Sequence, residues 1–255
     1  MDGRLRRLDL KTALSAIADL ALPRVCVVCG DVLLPQEKHI CTVCLADLPE
    51  THFAGFSHNP MSDKLNDKIE RDRVRKGMLG REDYAYATAL YFYKGGLGYR
   101  TISQALKYRR DFGTGKLFAG LLGERIAASP LYADVDLVVP VPLHWERRWR
   151  RGYNQAEIIG REVAAALGCR CRATALKRLR RTRSQAHLRG SAAKAANVAG
   201  AFAVRPSQEL LQAKHILLTD DVFTTGATLS ECHIALREAL GPAVRISVIT
   251  LGYVG

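Results

Sequence analysis

The chain has 255 residues, room for one α/β domain of ordinary size plus a small appendage, and too few for two full enzyme domains. Its 48% apolar and 25% charged residues allow a buried core and exclude a disordered polymer. The 38 Lys and Arg against 25 Asp and Glu leave +13, an excess that favours polyanions such as nucleic acid or pyrophosphate.

At the start of the chain, Leu5, Leu8, Leu14, Ile17 and Leu20 have helical spacing, but Asp9, Lys11 and Asp19 interrupt any apolar run. The segment reads as neither signal peptide nor membrane span, and no other stretch approaches the roughly 18 apolar residues that a span needs. A protein of the reducing cytoplasm, without membrane insertion, is expected, its cysteines being thiols or metal ligands.

Cys26 and Cys29, then Cys41 and Cys44, form two C-x2-C turns separated by eleven residues. Four thiolates complete a closed tetrahedral shell with no open catalytic position, so this spacing predicts a structural Zn²⁺ site. The N-terminal helix and this module together span 1–55.

Residues 56–83 read as a connector, dense in mixed charge from Asp63 to Arg81. The periodicity there supports no helix, although Leu65, Ile69 and Val74 suffice to cover a surface. From 84 to 255 the pattern becomes regular. Strands are predicted around Ala87–Tyr93, Leu137–Val141, Ala201–Val204, Ile216–Thr219 and Arg245–Leu251. Helices are predicted over Tyr99–Tyr108, Lys116–Ala127, Asn154–Leu167 and Thr228–Leu240. Continuous apolar strands alternating with helices imply an α/β fold with a mainly parallel sheet flanked by helices, and ligands then belong at the strands' carboxyl ends.

The segment from His215 to Leu229 is the most informative. It is an apolar strand ending in Asp220 and Asp221, then a turn carrying hydroxyls and a glycine, then an amphipathic helix. Backbone N–H groups from Thr224 to Ala227, the hydroxyls of Thr224, Thr225 and Thr228, and the helix dipole would surround a phosphate, with Gly226 allowing close approach. Asp220 and Asp221 stand one turn earlier, within range of ribose hydroxyls, and are the candidate catalytic pair. The spacing fits a phosphoribosyl group.

Between His144 and Gly190 there are 13 Lys and Arg and 3 acidic residues, a net +10 in 47 positions. Charge so concentrated suggests a dedicated anion-binding face. Trp145, Trp149 and Tyr153 lie among these arginines, an arrangement that suits stacking on unpaired bases, whereas tryptophans beside a strand are more often core. Nucleic-acid candidates are Arg148, Arg150, Tyr153, Arg180, Arg181 and Arg183. Asn154 is a candidate helix N-cap.

These motifs carry a resemblance. His215 to Leu229 resembles the phosphoribosyl-pyrophosphate loop of type I phosphoribosyltransferases. Val139 to Gln155 (VPVPLHWERRWRRGYNQ) is similar to the hallmark segment of the ComF family, which also carries the N-terminal four-cysteine module. Arg183–Leu188, Asn197–Phe202 and Asn59–Met61 extend the likeness from about Cys26 to the C-terminus, and the long charged connector after Asn59 departs from it.

The resemblance implies a zinc-ribbon-like module, a type I phosphoribosyltransferase fold, phosphoribosyl pyrophosphate bound with Mg²⁺, and a cytoplasmic bacterial role in handling single-stranded DNA during natural transformation. Transferases of this fold place the pyrophosphate loop where Pro140 to Pro142 ends a strand, which makes Arg147 and Arg151 candidate ligand contacts. Arg178–Arg189 resembles the loop that closes over substrate. Three roles stay open: a DNA-handling protein that keeps the phosphate loop, a working phosphoribosyltransferase with an unidentified acceptor, and a module docking a DNA-uptake helicase.

Overall fold

The computed structural model describes residues 23–93, 98–179 and 200–255, the Arg147 side chain excepted. In chain order the described elements are α1 (Thr42–Ala46), α2 (Pro60–Arg75), β1 (Ala87–Phe92) and α3 (Arg100–Gln104), which runs on as a π turn over Ala105–Arg109. There follow α4 (Phe112–Ala127), β2 (Leu137–Pro140), α5 (Trp145–Arg151), α6 (Gln155–Ala166), β3 (Arg170–Cys171) and β4 (Leu176–Arg178). The last are β5 (Phe202–Val204), α7 (Gln208–Gln212), β6 (His215–Phe223), α8 (Ala227–Leu240) and β7 (Arg245–Tyr253).

Five strands form a parallel sheet in the order β1-β7-β6-β2-β3. Successive side chains of a strand point to opposite faces, and here both faces are covered, which is why the strands read as unbroken apolar runs. Val138, Leu217 and Ile249 pack with Ile102 and Leu106 of the α3 segment, Phe118 and Leu122 of α4, and Ile159 of α6. Their neighbours Val139, Leu218 and Val248 face the other way, onto Leu65 and Ile69 of α2 and Leu229 and Leu236 of α8. The expected α/β class with a helix-flanked parallel sheet is what the structure has.

Two local expectations are corrected. The charged segment is no loose connector: it contains the 16-residue helix α2. Asn59 Oδ1 accepts hydrogen bonds from the Met61 and Ser62 amides at 3.0 and 2.9 Å, the Ser62 hydroxyl accepts one from the Asn59 amide, and Pro60 occupies the first turn. Met61, Leu65 and Ile69, spaced by four, form a narrow buried stripe, while Val74 is exposed. Paired charges complete the buried face: Lys68 with Asp72, which also accepts from the Ser230 hydroxyl, and Arg73 with Glu82. The segment near Ala201–Val204 is the second correction, since β5 pairs antiparallel with β4 in a separate two-stranded ribbon.

Candidate functional site

The Asp pair lies at the carboxyl end of β6, where the register places Asp220 opposite Thr250 of β7. Asp220 is half-buried and its Oδ1 accepts a hydrogen bond from the Asp221 amide at 2.9 Å. Burial first, and then the Asp221 charge beside it, push the Asp220 carboxyl up to about 7. Asp221 is not exposed to water alone: Lys107 Nζ stands 2.6 Å from its Oδ2. Burial opposes the Lys107 charge, yet Asp221 and Asp220 hold its ammonium above the ordinary lysine value.

Thr224, Thr225 and Gly226 then make the turn into α8. Gly226 has φ 72°, and a methyl group there would lie 2.9 Å from the Phe223 ring, so conformation and space both require glycine. As the N-cap of α8 it supplies no side-chain hydrogen bond. The Thr225 hydroxyl is buried without a hydrogen-bond partner. Ala227 is buried and Thr228 half-buried. The segment from the end of β6 into α8 thus holds Asp220, Asp221, Thr225, Gly226, Ala227 and Thr228 in one short stretch.

The basic helix α5 follows the end of β2. Arg151 lays its guanidinium 5.4 Å from the centre of the Tyr108 ring, next to Lys107 in sequence. Arg148 reaches Glu157 at 3.5 Å, an exposed pair worth little, and Arg150 is exposed. Trp145 and Trp149, one turn apart, are 71% and 82% exposed, so the core position expected of these tryptophans is corrected. Tyr153 goes the other way: it is half-buried, its hydroxyl donates to the Leu106 carbonyl, and its ring meets Phe112 edge-on at 4.7 Å. It buttresses the π turn. Asn154 stands at the N-cap of α6 but caps nothing with its side chain; its Nδ2 donates to the Val141 carbonyl at 3.0 Å and pins the loop after β2. The side chain of Arg147, and all of Arg180, Arg181 and Arg183, lie outside the described residues.

The four cysteines converge as their spacing predicts, with all sulfurs within 4.8 Å of one another. A regular tetrahedron of metal–sulfur bonds near 2.3 Å has edges of about 3.8 Å, and Cys29 Sγ is 3.8 Å from Cys41 Sγ. The Val28 and Cys41 amides donate to Cys26 Sγ, and the Cys44 amide to Cys41 Sγ, each at 3.4 Å. Such donors orient and stabilise thiolates. Burial opposes ionisation of Cys26, but backbone donors bring its thiol down to about 7. Burial and the neighbouring sulfurs push Cys44 upward, a crowding that a cation would relieve. The set can hold a metal ion.

No family model matches the chain. It is 32% identical to Competence protein F of Haemophilus influenzae over 140 residues, 53% of this chain and 60% of that protein. It is 26% identical to DNA utilization protein YhgH of Escherichia coli O157:H7 over 227 residues, 83% of this chain and 90% of that protein. It is also 26% identical to Competence protein ComFC of Bacillus subtilis over 231 residues, covering 89% and 83% respectively. These likenesses support the ComF-family assignment that the motifs suggested. Coverage of the relatives is uneven, since the match to YhgH of Salmonella typhi spans only 46% of that protein.

Sequence reasoning missed Lys107 altogether. It sits in the basic run Lys107 to Arg110, where nothing marks one lysine as different. Only the π turn, which shifts the helical register after Gln104, turns its ammonium toward Asp221. Among the described residues no helix is long and apolar enough to cross a membrane.

Proposed function

We propose that this ComF-family protein binds phosphoribosyl pyrophosphate with Mg²⁺ at the turn between β6 and α8, and handles single-stranded DNA during DNA uptake or utilisation in the cytoplasm. The observation that carries the reading is the turn itself: a buried Thr225 hydroxyl without a partner, a helix start with no side-chain cap, and a carboxylate pair at the preceding strand end. A 5′-phosphate would take the amides and the Thr224, Thr225 and Thr228 hydroxyls, and Asp220 and Asp221 would take the ribose hydroxyls. Paired carboxylates are hard oxygen ligands of the kind Mg²⁺ uses together with substrate phosphates. When bound, Mg²⁺ would neutralise the pyrophosphate oxygens. The cysteine set suits Zn²⁺ in a structural role.

The DNA part rests on the relatives named for competence and DNA utilisation, and on the exposed tryptophans of α5 beside Arg148 and Arg150. Aromatic faces interleaved with arginines bind single strands with little regard to sequence. A working phosphoribosyltransferase, with Asp220 and Asp221 as catalytic residues, is the second reading, and the carboxylate pair at the base of the turn favours it; its acceptor is unidentified.

Calorimetric titration with phosphoribosyl pyrophosphate and Mg²⁺ tests the first claim. Wild type should bind and Asp221→Asn should bind at least roughly tenfold more weakly. Equal affinities would remove the site. Pyrophosphate release in the presence of a nucleobase would decide for catalysis.

A further inference from the structure

The residue that contacts the carboxylate pair is carried by a segment that the cysteine module holds at both ends. At the leading end, the Thr101 hydroxyl lies between the Gly98 and Val27 carbonyls, 2.5 Å from the latter, and the Tyr99 hydroxyl donates to the Cys44 carbonyl at 3.0 Å. Gly98 fits so closely that a methyl group on it would lie 2.5 Å from the Val28 carbonyl oxygen. At the trailing end, His39 Nδ1 lies 3.6 Å from Asp111 Oδ1, and the His39 ring fills the space where a side chain on Gly113 would be. The Val27 amide donates to the His39 carbonyl at 2.9 Å, which joins the two grips into one unit. Every gripping residue belongs to the metal turns: Val27 and Val28 lie between Cys26 and Cys29, His39 is two residues before Cys41, and Cys44 is itself one of the four sulfur residues.

Between the grips the backbone is not relaxed. Ala105–Arg109 is a π turn, and Arg110 closes it in the left-handed region at φ 54°. Both features cost conformational energy and persist only where surrounding contacts enforce them. Lys107 sits in the middle of this turn, with its ammonium 2.6 Å from Asp221.

We propose that the four-cysteine module positions Lys107 against Asp221 by clamping the segment 98–113, so that loss of its metal ion weakens the sugar-phosphate site on the far side of that segment. The effect on ligand rests on the phosphoribosyl reading above; the clamp itself does not. Without the ion the Val27–Val28 turn is held by backbone hydrogen bonds alone, both grips loosen, and the π turn relaxes toward ordinary helix. Lys107 then withdraws, and Asp221 meets an incoming pyrophosphate as an uncompensated negative charge.

The test uses the intact chain in three forms: metal-loaded, stripped with a chelator, and the double variant Tyr99→Phe, Thr101→Val with its metal content measured. Amide hydrogen exchange is read over Leu106 to Asp111 and over β7, and phosphoribosyl pyrophosphate with Mg²⁺ is titrated into each form. Exchange at Leu106 to Asp111 should accelerate in the stripped and double-variant proteins while β7 stays protected. Affinity in the metal-replete double variant should fall roughly tenfold, the size of one or two lost hydrogen bonds. Unchanged exchange at Leu106 to Asp111 in the double variant overturns the clamp, and a loosened segment with undiminished affinity overturns the link to the site. If stripping also unprotects β7, the double variant alone decides. If wild type binds no phosphoribosyl pyrophosphate, the functional reading fails and exchange still decides the clamp.

Discussion

Asp220 illustrates how its surroundings set the charge of a single side chain. A carboxyl raised to about 7 in the folded chain keeps its proton while the unfolded chain, titrating near 4, has already lost it. Stability therefore falls as pH rises through that window, and the full cost of burying the charge is present above about 7. Asp220→Asn should accordingly raise stability at pH 8 by on the order of 1–2 kcal/mol, with the gain shrinking toward pH 4, as read by urea unfolding across pH. A pH-independent difference would mean that Asp220 is not strained by its surroundings. Gly226→Ala should instead destabilise at every pH, by about 1–2 kcal/mol, because φ 72° and the Phe223 ring both oppose a side chain. At this scale the sequence was informative where chemistry is contiguous. Asp220 to Thr228 could be read as one unit, and so could the four cysteines. Lys107 could not, because its partner lies 114 positions away in the chain and its orientation depends on a π turn that no local pattern announces.

The elements were legible in proportion to how much of their buried face is apolar. Strands β2, β6 and β7 and helices α6 and α8 carry continuous or periodic hydrophobic residues, and all were expected close to where they lie. Helix α2 was missed because its apolar stripe is only Met61, Leu65 and Ile69, and the rest of its packing face is made of charges satisfied by partners distant in sequence. Its start was nonetheless written in Asn59 and Pro60. Asn59 does more than cap: its Nδ2 donates to the Ala87 carbonyl at 3.0 Å and the Phe56 carbonyl at 3.2 Å, fastening α2 to β1. Asn59→Ala should thus cost more than an ordinary cap, about 2–3 kcal/mol. The comparable change at the cap of the five-residue α7, Ser207→Ala, should cost about 1 kcal/mol or less. Chemical denaturation of the two variants side by side checks the ordering, and equal losses would contradict the anchoring role given to Asn59.

For the whole molecule, the decisive property is where charge and exposed aromatic surface coincide. A net +13 says little by itself, but Arg148, Arg150, Trp145 and Trp149 share one short helix that follows the end of β2, at the carboxyl edge of the sheet where β6 also ends. Sequence placed the tryptophans wrongly, since burial habit is a statement about average tryptophans and α5 is too short and too charged to pack its faces into a core. If this helix is the stacking platform, two substitutions should separate its contributions. Trp145→Ala with Trp149→Ala should weaken binding to a short oligothymidine by about 2–6 kcal/mol, at one to three per lost stack, while leaving the slope of log affinity against log salt unchanged. Arg148→Gln with Arg150→Gln should reduce that slope by about 1–2 and weaken binding to all sequences alike. Neither pair should alter the titration of phosphoribosyl pyrophosphate, because neither includes a residue of the β6–α8 turn. A salt slope that moves with the tryptophans, or a phosphoribosyl pyrophosphate affinity that moves with either pair, would show that strand binding and sugar-phosphate binding draw on one surface and not on two.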